Sequence, residues 1–175
     1  SILTIQEAID VLHPSAIIMV GIAFGIDQKK RHMGDILVSK QLVPYDLQRV
    51  GTDTTGKMIV TLRADRPSAS SRMLSIFRGA ANYWQAPPKV HFGPVLSGDK
   101  LVDNLDYRDQ LIGLNQEAIG GEMEGAGLYA IAQRKKVDWI LVKAICDWAD
   151  GQKTQQDEGQ RQRDAAENAV RFLLY

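Results

Sequence analysis

Short apolar runs of strand length, separated by stretches of helical period, govern what this chain can fold into. AIIMV (16–20), GDILVSKQL (34–42), MIVTL (58–62), KVHFGPVLSGD (89–99) and WILVKAICD (139–147) are such runs. Between them the spacing is helical, and this alternation is the pattern of an α/β sheet with helices on its faces. Thr4 and Glu7 form a capping-box pair for a first helix that stops near His13–Pro14, because proline disfavours helical geometry in the residue before it. AIIMV reads as a strand running into GIAFG (21–25), a glycine-flanked turn. The segment from Arg49 to Ser71 mixes glycine, proline and hydroxyl residues, so it reads as loops with one short strand, MIVTL. A helix is expected from about Ser70 to Trp84, burying Met73, Ile76, Phe77, Ala80 and Ala81. Asn104 is placed to cap a helix, a short strand is expected near Ala118 and Ile119, and a helix follows to about Arg134. A closing helix from about Asp157 carries an apolar stripe of Ala166, Ala169, Val170 and Leu173, with Asp157 and Glu158 at its positive end.

The 175 residues, 45% of them hydrophobic and 24% charged, suit a single domain with a sizeable core. Twenty-one basic side chains balance twenty-one acidic ones. No net positive field draws the chain to nucleic acid or an anionic membrane, which leaves a small molecule as the expected partner. One cysteine, Cys146, excludes an internal disulfide, and the N-terminus lacks the basic-then-apolar order of a secretion signal. A cytoplasmic location is expected, and no apolar run approaches the roughly 20 residues needed to span a bilayer.

Open α/β sheets bind ligands beyond the carboxyl ends of their strands, so the places where strand patterns stop are the candidate site. Three stand out: GIAFG, GEMEG (121–125) and CDWADG (146–151). Glu122 and Glu124 point the same way if the backbone is extended, and a carboxylate can accept both protons of a vicinal diol such as that of ribose. Alternatively the two acids simply favour the start of the following helix through its dipole. Lys143, in an otherwise apolar strand, reads as the partner of a buried carboxylate, since an unpaired buried charge is costly. His13 and His91 read as structural, the run from Lys29 to His32 as a solvated surface, and Cys146 as packing. Three scattered histidines and one cysteine make no zinc pattern, so no metal is expected.

GGEMEGAGLYAIAQ (120–133) followed by LVKAICDWADG (141–151) resembles the signature of the purine nucleoside phosphorylase and nucleosidase superfamily, which includes the 5'-methylthioadenosine/S-adenosylhomocysteine nucleosidases. AIIMVGIAFG, MGDILVSKQL and GPVLSGDKLVDN match in the same order, so the resemblance extends from about Ser15 to Gly151. It implies a three-layer α/β/α fold around a mixed, largely parallel sheet, no cofactor, and a homo-oligomer. It also implies roles. Glu124 would hold the ribose hydroxyls, Met123 would pack against sugar or base, and Glu122 would support the pocket. Asp147 would be the general acid to the purine, with Leu101 and Val102 on one side of the base and Ala23 and Phe24 on the other. Where phosphorylases of this group carry a phosphate-binding hydroxyl residue and an arginine, this chain has Ile22 and Met19, which favours water over phosphate. The implied activity is hydrolysis of the N-glycosidic bond of a purine nucleoside or nucleotide. The alternatives are a phosphate-dependent phosphorylase and a non-catalytic sensing domain of a signalling or defence protein. The family's first strand and Gly-rich loop have no counterpart here, so the domain, 1–175, is expected to be incomplete at its N-terminus or part of a longer protein.

Overall fold

A computed structural model describes residues 2–85, 87–152 and 155–175, and the side chains of 4–85, 87–152 and 158–175. The elements in order are α1 (Ile2–Leu12), β1 (Ala16–Gly25), β2 (Ile36–Pro44), β3 (Gln48–Thr52), β4 (Met58–Leu62), α2 (Ser71–Tyr83), β5 (Val90–Ser97), α3 (Leu105–Leu114), β6 (Gly120–Glu122), α4 (Gly125–Lys135), β7 (Asp138–Asp147) and α5 (Gln155–Leu173). β1, β2, β5, β6 and β7 form the main sheet. β1 pairs with β7, β2 with β5 and β5 with β6 in parallel, while β1–β6 and β2–β7 are antiparallel. The sheet is thus mixed and largely parallel.

β7 lies at its centre, and from Trp139 to Cys146 every residue is buried. Successive strand side chains point to opposite faces, so a run buried throughout needs cover on both. α4 supplies one cover, with Gly125 so close that an added Cβ would lie 2.7 Å from Leu141. α5 supplies the other, with Ala165 and Ala169 against Ala144 and Cys146. This is the three-layer α/β/α arrangement, and no helix among the described residues is long and apolar enough to cross a membrane.

Several expectations are corrected. Thr4 lies inside α1 rather than capping it, because helical geometry begins at Ile2. GIAFG is no turn: β1 runs on to Gly25, held by β7 on one side and β6 on the other. Its glycine serves a close approach, since a Cβ on Gly25 would lie 2.6 Å from the Trp148 ring. The Arg49–Ser71 segment holds two strands, with β3 and β4 paired over five residue pairs from Gln48↔Leu62 to Thr52↔Met58. Their turn is tied by Asp53, whose Oδ1 accepts from the Thr55 and Lys57 main chain. QRVGT carries too few apolar residues to announce a strand. Ala118 and Ile119 precede β6 instead of forming it. In α2 the buried residues are Met73 and Phe77, whereas Ile76 is exposed. In α5 the buried line is Ala165, Ala169 and Phe172, and Val170 is exposed. That line has the same period as the expected stripe, turned by one residue because α5 lays its small alanines against β7. The side chain of Asp157 lies outside the described residues. Asn104 caps α3 as expected, accepting from Tyr107 N at 2.9 Å.

A β-bulge in β7 bears on the site. Ala23 stands opposite Ile145 but Phe24 stands opposite Asp147, so Cys146 is an extra residue relative to β1.

Candidate functional site

The late residues of β1, Gly121 and Glu122 of β6, the end of β7, the loop after β5 and the first turns of α5 line a cavity of about 250 Å³. All eight residues singled out from the sequence line it: Ala23, Phe24, Leu101, Val102, Glu122, Met123, Glu124 and Asp147. Ala23, Phe24 and Val102 are buried and form apolar walls, while Leu101 and Met123 stand at an exposed rim. Gly121 leaves room for Phe24, whose ring occupies the place a Cβ would take. The loop bearing Leu101 is held from behind, with Tyr45 donating its hydroxyl to Lys100 O at 3.2 Å and Asp46 accepting from Asp99 N at 2.8 Å. Burial pushes the Tyr45 phenol well above its ordinary range, so it stays a donor.

The two glutamates differ in what they do. Glu122, 4% exposed at the end of β6, turns its carboxylate onto the start of α4 and accepts from Glu124 N at 3.0 Å and Gly125 N at 2.9 Å. Strand geometry stops there. Glu124 is the N-cap of α4 with φ −121° and ψ −20°, so the two acids do not share a strand face, as extended backbone would have placed them. They converge instead on Lys143, whose Nζ lies 3.2 Å from Glu122 Oε2 and 2.8 Å from Glu124 Oε2. Lys143 is thus the partner of a buried carboxylate, as its place in an apolar strand suggested. Glu124 keeps a side chain 59% exposed. Burial opposes its charge, but the hydrogen bond and attraction of Lys143 outweigh this and hold its carboxyl below the ordinary value.

Asp147 ends β7 beside Phe24, half-buried. Its Oδ1 accepts from Ala149 N at 2.8 Å and its Oδ2 from the Cys146 thiol at 3.2 Å. Cys146 therefore packs as expected but also lines the cavity. Lys100 and Gly121 also line the cavity without having been singled out, as do Glu158 and Gln162 of α5, joined by a 3.2 Å hydrogen bond from Gln162 Nε2 to Glu158 Oε1. Their spacing of four residues on one helix face was the available signal. Ile22 also lines the cavity.

A second buried acid flanks β7 on its β2 side. Asp35, 3% exposed, accepts from His32 N at 3.0 Å and Lys89 N at 2.9 Å and bonds His91 Nε2 at 2.8 Å. Burial opposes the Asp35 charge, yet His91 and the two main-chain donors prevail and lower its pKa. His91 is structural, as expected.

Fold and cavity together define a three-layer α/β protein with a carboxylate-lined, apolar-walled cavity at the ends of its strands. The chain belongs to the phosphorylase superfamily, whose sequence profile matches residues 1–175. It is 30% identical to the Death domain-containing ATP nucleosidase of Amphimedon queenslandica, over 85% of this chain and 31% of that protein. It is 28% identical to the 5'-methylthioadenosine/S-adenosylhomocysteine nucleosidase of Maridesulfovibrio salexigens, over 95% of this chain and 71% of that one. The chain thus spans about a third of the sponge protein's length. Among solved structures, the nucleosidase of Neisseria meningitidis in complex with methylthio-immucillin-A superposes with a TM-score of 0.81 at 20% identity, over 98% of this chain and 73% of that one. The futalosine hydrolase of Helicobacter pylori gives 0.80 at 22% identity, over 99% and 72%. At such identities the likeness is one of fold.

Proposed function

We propose that this domain hydrolyses the N-glycosidic bond of a purine nucleoside or nucleotide. The observation that carries the reading is the meeting, in one cavity, of Glu124 and Asp147 between apolar walls. Breaking the bond leaves an electron-poor sugar and pushes electrons onto the departing base. Asp147 gives a proton to the base, a contribution of roughly 10²–10⁴-fold for a general acid. Glu124 accepts hydrogen bonds from the ribose hydroxyls and places negative charge beside the cationic sugar carbon. Water bonds through its oxygen to that carbon and gives its extra proton to solvent, from which Asp147 is reprotonated; Ile22, apolar at the cavity wall, supports water over phosphate. The names of the relatives support the same chemistry.

The test is chromatographic detection of free purine after incubation with adenosine, methylthioadenosine, AMP and ATP, each with and without phosphate, for the wild type and Asp147→Asn. Base released without phosphate and lost in the variant is the expected result. Release only with phosphate would establish a phosphorylase. A second reading is that the cavity binds such a ligand without cleaving it. Binding with no base released from any substrate would establish that reading.

A further inference from the structure

Lys143 is an unusual residue for its position. It is 3% exposed in the middle of the central strand, with Leu141, Val142, Ala144 and Ile145 as neighbours. A buried ammonium costs several kcal/mol unless it is paired and hydrogen-bonded. Glu122, equally buried, answers that need and already receives two main-chain N–H donors. A second carboxylate is not required to neutralise the lysine, yet the shorter contact, 2.8 Å against 3.2 Å, runs to the half-exposed Glu124 in the cavity. The neighbouring strand is built for this reach. Gly21 stands opposite Lys143 in register, and a Cβ there would crowd Nζ at 3.3 Å and Cδ at 3.6 Å. Glu124 has no other cation among the ion pairs of the described residues.

We infer that Lys143 is the positioning residue of the ribose grip: through its ammonium it aims one Glu124 oxygen, leaving the other for the sugar hydroxyls, and so sets the preference for ribosides over deoxyribosides. The inference rests on the reading of Glu124 given above. Lys143 touches no substrate in this scheme and acts through the glutamate. Glu124 held as an anion accepts from both hydroxyls of a diol; a protonated Glu124 would offer one donor and compete for them. The charged and titratable groups that share the cavity or an ion pair with Glu124 are Glu122 from β6, Lys143, Cys146 and Asp147 from β7, Lys100 from the loop after β5 and Glu158 from α5.

The experiment has two arms. In the first, affinity and base release are measured for a purine riboside and its 2'-deoxy analogue with wild type, Lys143→Arg, Lys143→Met, Glu124→Gln and the Lys143→Met/Glu124→Gln double variant. Lys143→Met is expected to raise KM for the riboside about 10- to 100-fold, the scale of a lost charge-assisted hydrogen bond, and to change the deoxyriboside far less. Lys143→Arg is expected to restore most of the preference, and the double variant to be no worse than Glu124→Gln alone. Equal losses on both substrates, or losses that add in the double variant, would mean that Lys143 only holds the fold, and would overturn the inference. In the second arm the Glu124 carboxyl of the wild type is titrated by carbon-13 NMR, assigned with Glu124→Gln. A carboxyl titrating below the ordinary range supports the inference. One at or above that range overturns it, even where Lys143→Met does not fold. If the wild type neither binds nor cleaves either nucleoside, the functional reading fails while this titration still decides whether Lys143 governs Glu124.

Discussion

Asp35 and Glu122 are both almost wholly buried acids beside the same strand, yet their surroundings differ. Asp35, next to Ile145 of β7, bonds His91 and two main-chain N–H groups, with the exposed His32 ring 3.8 Å away, so its contacts tie the turn before β2 to the start of β5. Glu122 also receives two main-chain donors, but it shares its lysine with a carboxylate standing in a cavity. A buried charge held mainly by main-chain donors and one histidine ties neighbouring segments together. A buried charge that shares a partner with an exposed group can pass its constraint on to a ligand. Burial alone does not separate the two cases; the second partner does.

The widest separation between the two regions is expected from removing the exposed member. Glu124→Gln should lower kcat for base release on the order of 10²–10³-fold, the scale for one preorganised electrostatic group, while leaving the thermal midpoint nearly unchanged. A midpoint falling as far as activity would break the distinction. Asp35→Ala should do the reverse and cost about 1.5–3 kcal/mol of stability, as for lost hydrogen bonds to a buried charge, with base release per folded molecule unaltered. Urea unfolding and activity on the same samples would check both halves.

pH sharpens the contrast further. Because the folded pKa of Asp35 is depressed, its stabilisation is present above the unfolded carboxylate value and is lost as pH falls through the lower folded one. The stability difference between wild type and Asp35→Asn should therefore hold steady down to about pH 5 and shrink below about pH 4. A difference that grew on acidification would sink this account. The smallest effect is expected at His32, whose exposed ring lies 3.8 Å from Asp35: His32→Ala should change stability by less than about 0.5 kcal/mol, since that contact is long and solvated and the main-chain bond is kept.

The longer strands of the main sheet were legible as short apolar runs, and the eight residues singled out were legible through local motifs: GIAFG, GEMEG, CDWADG and the segment after SGD. What escaped depended on partners distant in sequence. That Lys143 would meet two glutamates, and that Asp35 would meet His91, follows from strand register, which a linear reading does not contain. Ile76 has the spacing of a core residue but lies on an edge of α2 that stays exposed. β3 escaped because QRVGT, exposed along much of its length, is held by its pairing with β4 and by the Asp53 turn more than by apolar burial.

The bulge at Cys146 has a consequence for how this domain can change over time. Lys143 and Asp147 ride on one strand, and their phase relative to β1 is set by a single extra residue between Ile145 and Asp147. Deleting that residue would shift the strand's last side chain by one step and turn it to the opposite face, parting Asp147 from Glu124 and Lys143. Substitutions along this stretch can tune the site, but its length is a ruler. Diversification of the domain should therefore proceed there by exchange of residues and almost never by their gain or loss.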